Sequence, residues 1–200
     1  MRDVIIIPTY NERENIKNLA GTIHSLFPDI HILVVDDSSP DQTALEVKRM
    51  QREIPNLELL VRPLKEGLGK AYIASFKKIL QEGNTRSLCM MDADFSHSAR
   101  YLEEMFSGIK EADAVVGSRY VPGGSTNNYP LFRRIVSFLA ATYCRILFRL
   151  PIRDYTSGFI CIKTALLAKI DWEKVDSSGF SFLVELKYIL WQKGAVFKEF

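Results

Sequence analysis

The sequence predicts an α/β fold built on an open, mostly parallel sheet with helices on both faces. Three observations carry that expectation: apolar runs of strand length recur through residues 4–116, stretches with helical apolar spacing separate them, and polar turns follow the strands. The run Val4-Ile5-Ile6-Ile7, closed by Pro8, reads as a first strand buried on both faces. Asn11 with Glu14 resembles a capping box, after which Ile16, Leu19, Ala20, Ile23 and Leu26/Phe27 recur at helical spacing. A second strand over residues 30–35 ends in Asp36-Asp37-Ser38-Ser39-Pro40-Asp41. Ser39 and Pro40 there suit a helix start, with Ala44, Val47 and Met50 as the buried stripe. Residues 57–61 form a third strand, and Gly67-Leu68-Gly69 opens a helix carrying Ile73, Phe76 and Leu80. A fourth strand is expected at 87–91, a helix with Leu102, Met105, Phe106 and Ile109 after it, and a fifth strand at 112–116.

After Gly117 the rhythm changes. Residues 118–130 are rich in turn formers and read as a long loop of the kind that covers a substrate. A helix over 131–150, a short strand over 159–162 and a helix over 180–192 complete the expectation. Without repeat, linker or low-complexity segment, the chain reads as one domain, 1–200, with two functional halves, 1–117 and 118–200. On the 131–150 helix, Arg134, Arg145 and Arg149 share one face, with Phe138 and Phe148 beside them and Ile135, Val136, Leu139, Tyr143, Ile146 and Leu147 opposite. Such a face either snorkels into water from a core helix or rests on anionic headgroups.

Composition narrows the class. Two hundred residues, 47% hydrophobic and 25% charged, suit a globular domain with its own core. A net charge of +2 makes no case for nucleic acid. Cys89, Cys144 and Cys161 lie far apart, without metal or redox spacing, and read as core thiols of a reducing compartment. The chain runs from Met1 directly into a strand, and no apolar stretch reaches the ~20 residues of a spanning helix. The expected location is cytoplasmic, with peripheral contact to the cytoplasmic face of a membrane.

The chemistry centres on Asp92-Ala93-Asp94, where an apolar strand ends in two carboxylates at i and i+2. Two like charges held together call for a counter-ion, and an open Mg²⁺ or Mn²⁺ site that also takes phosphate oxygens supplies one. The plainer alternative is a solvated turn with a capping Asp. In open α/β sheets, ligands bind outside the carboxyl ends of the strands. That rule sets Pro8-Thr9-Tyr10-Asn11-Glu12, Asp36-Asp37, the Gly67 loop and Asp92/Asp94 on one rim. A dinucleotide fingerprint is rejected, because Tyr72 holds the place of its third glycine, and the P-loop spacing is absent. An aspartyl-phosphate phosphatase would place its Asp pair after an early strand and Thr or Val where Ser96 stands.

The ordered motifs carry a resemblance. Residues 7–16 (IPTYNERENI), 34–41 (VVDDSSPD), 65–72 (KEGLGKAY), 91–97 (MDADFSH), 116–124 (VGSRYVPGG), 154–159 (DYTSGF) and 179–185 (GFSFLVE) run in one order over nearly the whole chain. In this the sequence resembles the family 2 glycosyltransferases of the Rossmann-like GT-A fold, and most closely the dolichyl-phosphate (polyprenyl-phosphate) mannosyltransferases. The resemblance implies that Pro8, Tyr10, Glu12, Val35 and Asp37 cradle the donor nucleoside, with Gly67 on the same side. It implies that Asp92, Ala93 and Asp94 hold the ribose and diphosphate, and that Asp92, Asp94 and Ser96 hold the metal, where some relatives have Gln at the last position. His97 stands beside the site, either as a structural residue or on the metal. Arg119 would meet a phosphate of donor or acceptor, Arg133 or Arg134 the acceptor phosphate, and Asp154 or Glu185 would orient acceptor or sugar. Asp94, Arg119, Arg134 and Asp154 are therefore the catalytic candidates.

What the resemblance implies for function is inverting transfer of mannose from GDP-mannose to a polyprenyl (dolichyl) monophosphate. Alternatives are UDP-glucose or another donor, undecaprenyl phosphate or a glycan as acceptor, or a domain that binds nucleotide sugar without turning it over. The family motif after Ser157-Gly158-Phe159 often continues with a basic residue, where this chain has Ile160. The resemblance also implies a further segment past Phe200, with Arg, Gly and Ser-Lys closing over the donor phosphates and, in some relatives, membrane helices beyond it.

Overall fold

The computed structural model describes residues 1–122, 149–177 and 179–200. Strands and helices alternate as β1 (Arg2–Thr9), α1 (Arg13–Leu26), β2 (His31–Asp36), α2 (Thr43–Met50), β3 (Leu57–Val61), α3 (Leu68–Glu82), β4 (Thr85–Met90), α4 (Leu102–Gly108) and β5 (Ala114–Val116). After the undescribed stretch come β6 (Ile160–Lys163), α5 (Thr164–Leu167), α6 (Ser181–Gln192) and β7 (Phe197–Glu199). The seven strands form one sheet in the order β3-β2-β1-β4-β6-β5-β7. β6 runs antiparallel to β4 and β5, and every other pairing is parallel.

Period-two alternation along β1 splits the core into two layers. Val4 and Ile6 pack with Tyr72 and Phe76 of α3 and Phe182 and Leu186 of α6. Ile5 and Ile7 pack with Ile16, Leu19 and Ile23 of α1, Val47 of α2 and Leu102 and Met105 of α4. A strand covered on both faces needs apolar residues at every position, which is why residues 4–7 form an unbroken run. The sheet therefore has helices on both sides, as expected from the sequence.

Several local expectations are corrected. β1 continues through Pro8, which aligns with Val35 of β2, because pairing with β4 has already ended at Ile6. The capping box does not form. Asn11 sits at φ 60, the N-cap Glu12 makes no side-chain cap, and the Arg13 N–H donates instead to Asp41 Oδ2 at 3.1 Å. The other oxygen of Asp41 accepts from the Thr43 N–H at 3.0 Å, so one carboxylate caps α1 and α2 together. α2 accordingly starts at Thr43 rather than beside Ser39 and Pro40. The fourth strand runs from Thr85 to Met90 rather than to 91, leaving Asp92 and Asp94 in the turn beyond it. α5 and β7 are additional elements.

Cys89 and Cys161, far apart in sequence, align across β4 and β6 as buried free thiols. The expected 131–150 helix, with Arg134, Arg145, Phe138 and Phe148, falls outside the described residues except at its end. Arg149 (φ 52) and Leu150 are not helical there. Among the described residues no helix is long and apolar enough to cross a membrane.

Candidate active site

The strand order reverses direction at β1: β2 and β3 lie to one side, β4 to the other. At such a switch point the turns leaving neighbouring strands diverge and open a crevice. Thr9 and Tyr10 leave β1 there, Asp37 leaves β2 and Asp92 leaves β4. β6 enters the same rim with its amino end, because it is antiparallel, and brings Gly158 and Phe159.

On the β1–β2 side the turns are stitched together. The Asp37 N–H donates to the Thr9 carbonyl at 3.2 Å, and the Asn11 N–H to Ser39 Oγ at 3.0 Å. Asp36 is fully buried and accepts from Thr9 Oγ1 (3.0 Å), the Ser39 N–H (2.9 Å) and Ser39 Oγ, which makes it a structural brace. Asp37 faces Arg62, whose Nη1 donates to Oδ1 at 2.7 Å; both residues are buried. Burial pushes the Asp37 carboxyl upward and Arg62 pulls it back, leaving a net rise. Arg62 also pairs with Glu66 at 2.5 Å. Sequence reasoning missed Arg62, although a cation directly after β3 on the same rim was a usable signal. Tyr10 is exposed, with the Lys65 ammonium 3.5 Å from its ring centre. Pro8 and Glu12 are half-buried beside it, and Glu12 accepts from Asn15 Nδ2 at 2.6 Å. The Val35 side chain lies wholly in the core, so what it offers a ligand is backbone. Gly67 adopts φ 95, a conformation that requires glycine, as it caps α3.

On the β4 side, Asp92 is half-buried and Asp94 exposed, with Ala93 packed inward between them. Burial first, and then the charge of Asp94, push the Asp92 carboxyl up to about 6. Asp94 shows the opposite net shift. Burial works against its charge, but hydrogen bonds from Ser96, including the Ser96 N–H at 2.9 Å to Oδ1, bring it below the ordinary value. His97 lies against this pair. Its Nδ1 accepts from the Asp92 N–H at 3.1 Å, which leaves the proton of the neutral ring on Nε2, 3.8 Å from Asp92 Oδ2. The ring stacks on Phe159 at 5.0 Å, and burial draws its pKa down to about 4. A neutral, stacked imidazole that accepts a backbone hydrogen bond is a structural brace. Beneath them the buried Tyr72 hydroxyl has no hydrogen-bond partner among the described residues.

The two halves of the rim meet at Gly158. A Cβ there would stand 3.3 Å from Asp92 Oδ2 and 3.5 Å from His97 Cε1, so the absence of a side chain lets this turn lie against the carboxylate. The same turn holds Asp154, which has no exposed surface and takes Arg119 in a fork: Nε to Oδ2 and Nη2 to Oδ1, both at 2.8 Å. The Arg119 N–H and the Thr156 hydroxyl complete the cluster. Burial works against the Asp154 charge, but the hydrogen bonds and charge of Arg119 outweigh it and hold the carboxyl below its ordinary value. Glu185 is turned to the Ser177 N–H at 3.3 Å. Arg133 and Arg134 lie outside the described residues.

Among the described residues no cluster of three or more His, Cys, Asp or Glu could hold a metal unaided. The Asp92–Asp94 pair nevertheless suits one: the charge of Asp94 adds to burial in raising the Asp92 carboxyl, a repulsion that a cation would relieve, and Mg²⁺ or Mn²⁺ habitually completes its shell with substrate oxygens and water.

The family model described as Glycosyl transferase family 2 matches residues 4–171. The chain belongs to glycosyl transferase family 2. Over 189 residues this family 2 chain is 41% identical to the polyprenol monophosphomannose synthase of Mycolicibacterium smegmatis, covering 94% of its own length and 71% of the relative's. It is 38% identical to the undecaprenyl-phosphate mannosyltransferase of Micrococcus luteus, with 94% and 77% covered. Its fold matches the glucosyl-3-phosphoglycerate synthase of Mycobacterium tuberculosis, solved with Mn²⁺, UDP and phosphoglyceric acid, at a TM-score of 0.73 and 12% identity. That match covers 99% of this chain and 67% of the other, and bears on the fold alone. The GT-A architecture expected from the motifs is thus the one the family 2 domain adopts, and the protein is a glycosyltransferase.

Proposed function

We propose that this domain transfers mannose from GDP-mannose to a polyprenyl monophosphate with inversion at the anomeric carbon. The observation that carries the reading is the Asp92–Asp94 pair at the β1/β4 switch point, in a chain whose relatives are named for mannosyl transfer to polyprenyl phosphates.

In this reading Pro8, Tyr10, Glu12, Val35 and Asp37 hold the nucleoside, with Gly67 beside them and Arg62 keeping Asp37 aimed. Asp92, Ala93 and Asp94 take the ribose and diphosphate, and Asp92, Asp94 and Ser96 hold Mg²⁺ or Mn²⁺. The bound cation would neutralise charge gathering on the departing diphosphate. Arg119 presents its guanidinium to a phosphate, and Asp154 acts through it by fixing the direction of the fork. Arg133 and Arg134 take the acceptor phosphate. An acceptor oxygen that is already ionised attacks the anomeric carbon directly as the bond to the diphosphate oxygen breaks, so no general base is needed. Residues 1–117 serve as the donor half and 118–200 as the acceptor half. The acceptor reaches the site from the cytoplasmic face of a membrane on which the protein rests peripherally.

The test is incorporation of labelled mannose from GDP-mannose into organic-extractable lipid by the full-length protein with polyprenyl phosphate and Mg²⁺ or Mn²⁺. Transfer is expected, with loss on chelation and in Asp94→Ala. A folded, metal-loaded protein that transfers no mannose, or that transfers glucose from UDP-glucose instead, overturns the reading.

A further inference from the structure

Lys187 of α6 is fully buried, and the reaction just described does not use it. An ammonium stripped of water is strongly unfavourable unless it is paired and hydrogen bonded. Here Nζ donates to three backbone carbonyls: Ser157 at 2.7 Å, Tyr155 at 3.1 Å and Leu183 at 3.4 Å. Two of the three belong to the turn that carries Asp154 and Gly158. Burial draws the ammonium's pKa down to about 8, opposed by the charges of Asp154 and Glu199 and reinforced by Arg119.

The same turn is gripped from β7. The carboxylate of Glu199 accepts from the Arg153 N–H at 2.8 Å and the Asp154 N–H at 2.9 Å. Amides at the head of the turn are therefore held by an anion, and carbonyls further along it by a cation. A third tie runs from Ser157 Oγ to the Gly117 carbonyl at 2.7 Å. What the turn delivers is Gly158 against Asp92, and the carboxylate that aims Arg119. An apolar side chain at 187 would fill the space without desolvating a charge, yet it would leave two turn carbonyls without a donor.

We propose that Lys187 is a positioning residue for sugar transfer: with Glu199 it clamps the 154–158 turn so that Arg119 and the Gly158 backbone stand in register with Asp92. The inference deepens the glycosyl-transfer reading and rests on it. Lys187 touches no substrate; it acts through the turn. The nucleoside contacts on β1 and β2 do not run through the clamp, and a slackened turn, unlike a side chain added at Gly158, does not press on Asp92, so loss of the clamp falls on turnover rather than on donor binding.

The experiment compares wild type and Lys187→Met, which keeps an unbranched side chain one atom shorter and removes the donors, in mannose transfer and in calorimetric binding of GDP-mannose with Mn²⁺. The expected result is a kcat lower by about 10–100-fold with donor KM and Kd changed less than about threefold, the signature of misplacement rather than lost binding. A folded Lys187→Met with wild-type kcat overturns the proposal, as does a loss of kcat and donor affinity together in proportion to the folded fraction. If Lys187→Met does not fold, Glu199→Gln replaces it, since an amide nitrogen there faces an N–H it cannot accept. The same split supports the clamp, and an unchanged kcat overturns it. A wild-type protein that transfers no mannose overturns the functional reading as well, whereas an active wild type beside an unaffected variant overturns this inference alone.

Discussion

Gly158 shows how a single missing side chain can shape a charged site. With Asp92 Oδ2 only 3.3 Å from where a Cβ would be, the Asp92 carboxylate or the turn must give way by a few tenths of an ångström on substitution. On the proposed function, Gly158→Ala should leave the fold intact and weaken Mn²⁺-dependent binding of GDP-mannose by about tenfold, equivalent to about 1.4 kcal/mol. Calorimetry with GDP-mannose and Mn²⁺ checks this, and unchanged affinity would show that the turn has slack. The carboxylates were visible in the sequence as a pair. Their unequal shifts were not, because those depend on burial and on Ser96 hydrogen bonds that form only in the folded turn. Lys187 lay further from view. In a stripe with Leu183 and Leu190 it occupied an apolar position at i+4 and i−3, and that placement was the available signal.

At the scale of elements, the helices and parallel strands followed from apolar periodicity, but their ends did not. The expected capping box at α1 lost to Asp41, a residue 28 positions away from the amide it caps. The carboxylate is itself held below its ordinary value, because the Thr43 and Arg13 hydrogen bonds outweigh its burial. Asp41→Ala removes acceptors from two helix starts at once and should lower stability by about 1–2 kcal/mol, read as a shift in the urea midpoint without a change in slope. A loss no larger than that of an exposed surface substitution would mean that water replaces the carboxylate at both amides. The consequence for the site is direct: α1 and α2 follow the Tyr10 and Asp37 turns, so their joint cap ties those two turns together.

At the scale of the molecule, the order of the seven strands among the described residues places β1, β2 and β4 between two helical layers and β3 and β7 at the edges. Amide hydrogen exchange should be slowest in β1, β2 and β4 and fastest, among strands, in β3 and β7. Edge amides as protected as those of β1 would indicate that another segment or chain covers an edge. Because Glu199 lies on β7, an edge strand expected to exchange fast holds one end of the proposed 154–158 clamp.

The sequence carries the alternation of strands and helices, the two-faced core and the family motifs in its own spacing and residue types. It also named the acidic pair and the rim on which it stands. It took folding to show that β6 runs antiparallel between β4 and β5, that Cys89 aligns with Cys161, that Arg119 is locked to a buried Asp154, and that a lysine on an apolar face bonds their turn. The physical reason is one of range. Periodicity reports which side of an element is buried, whereas the partner of a buried charge comes from a distant part of the chain and is chosen only when the layers pack.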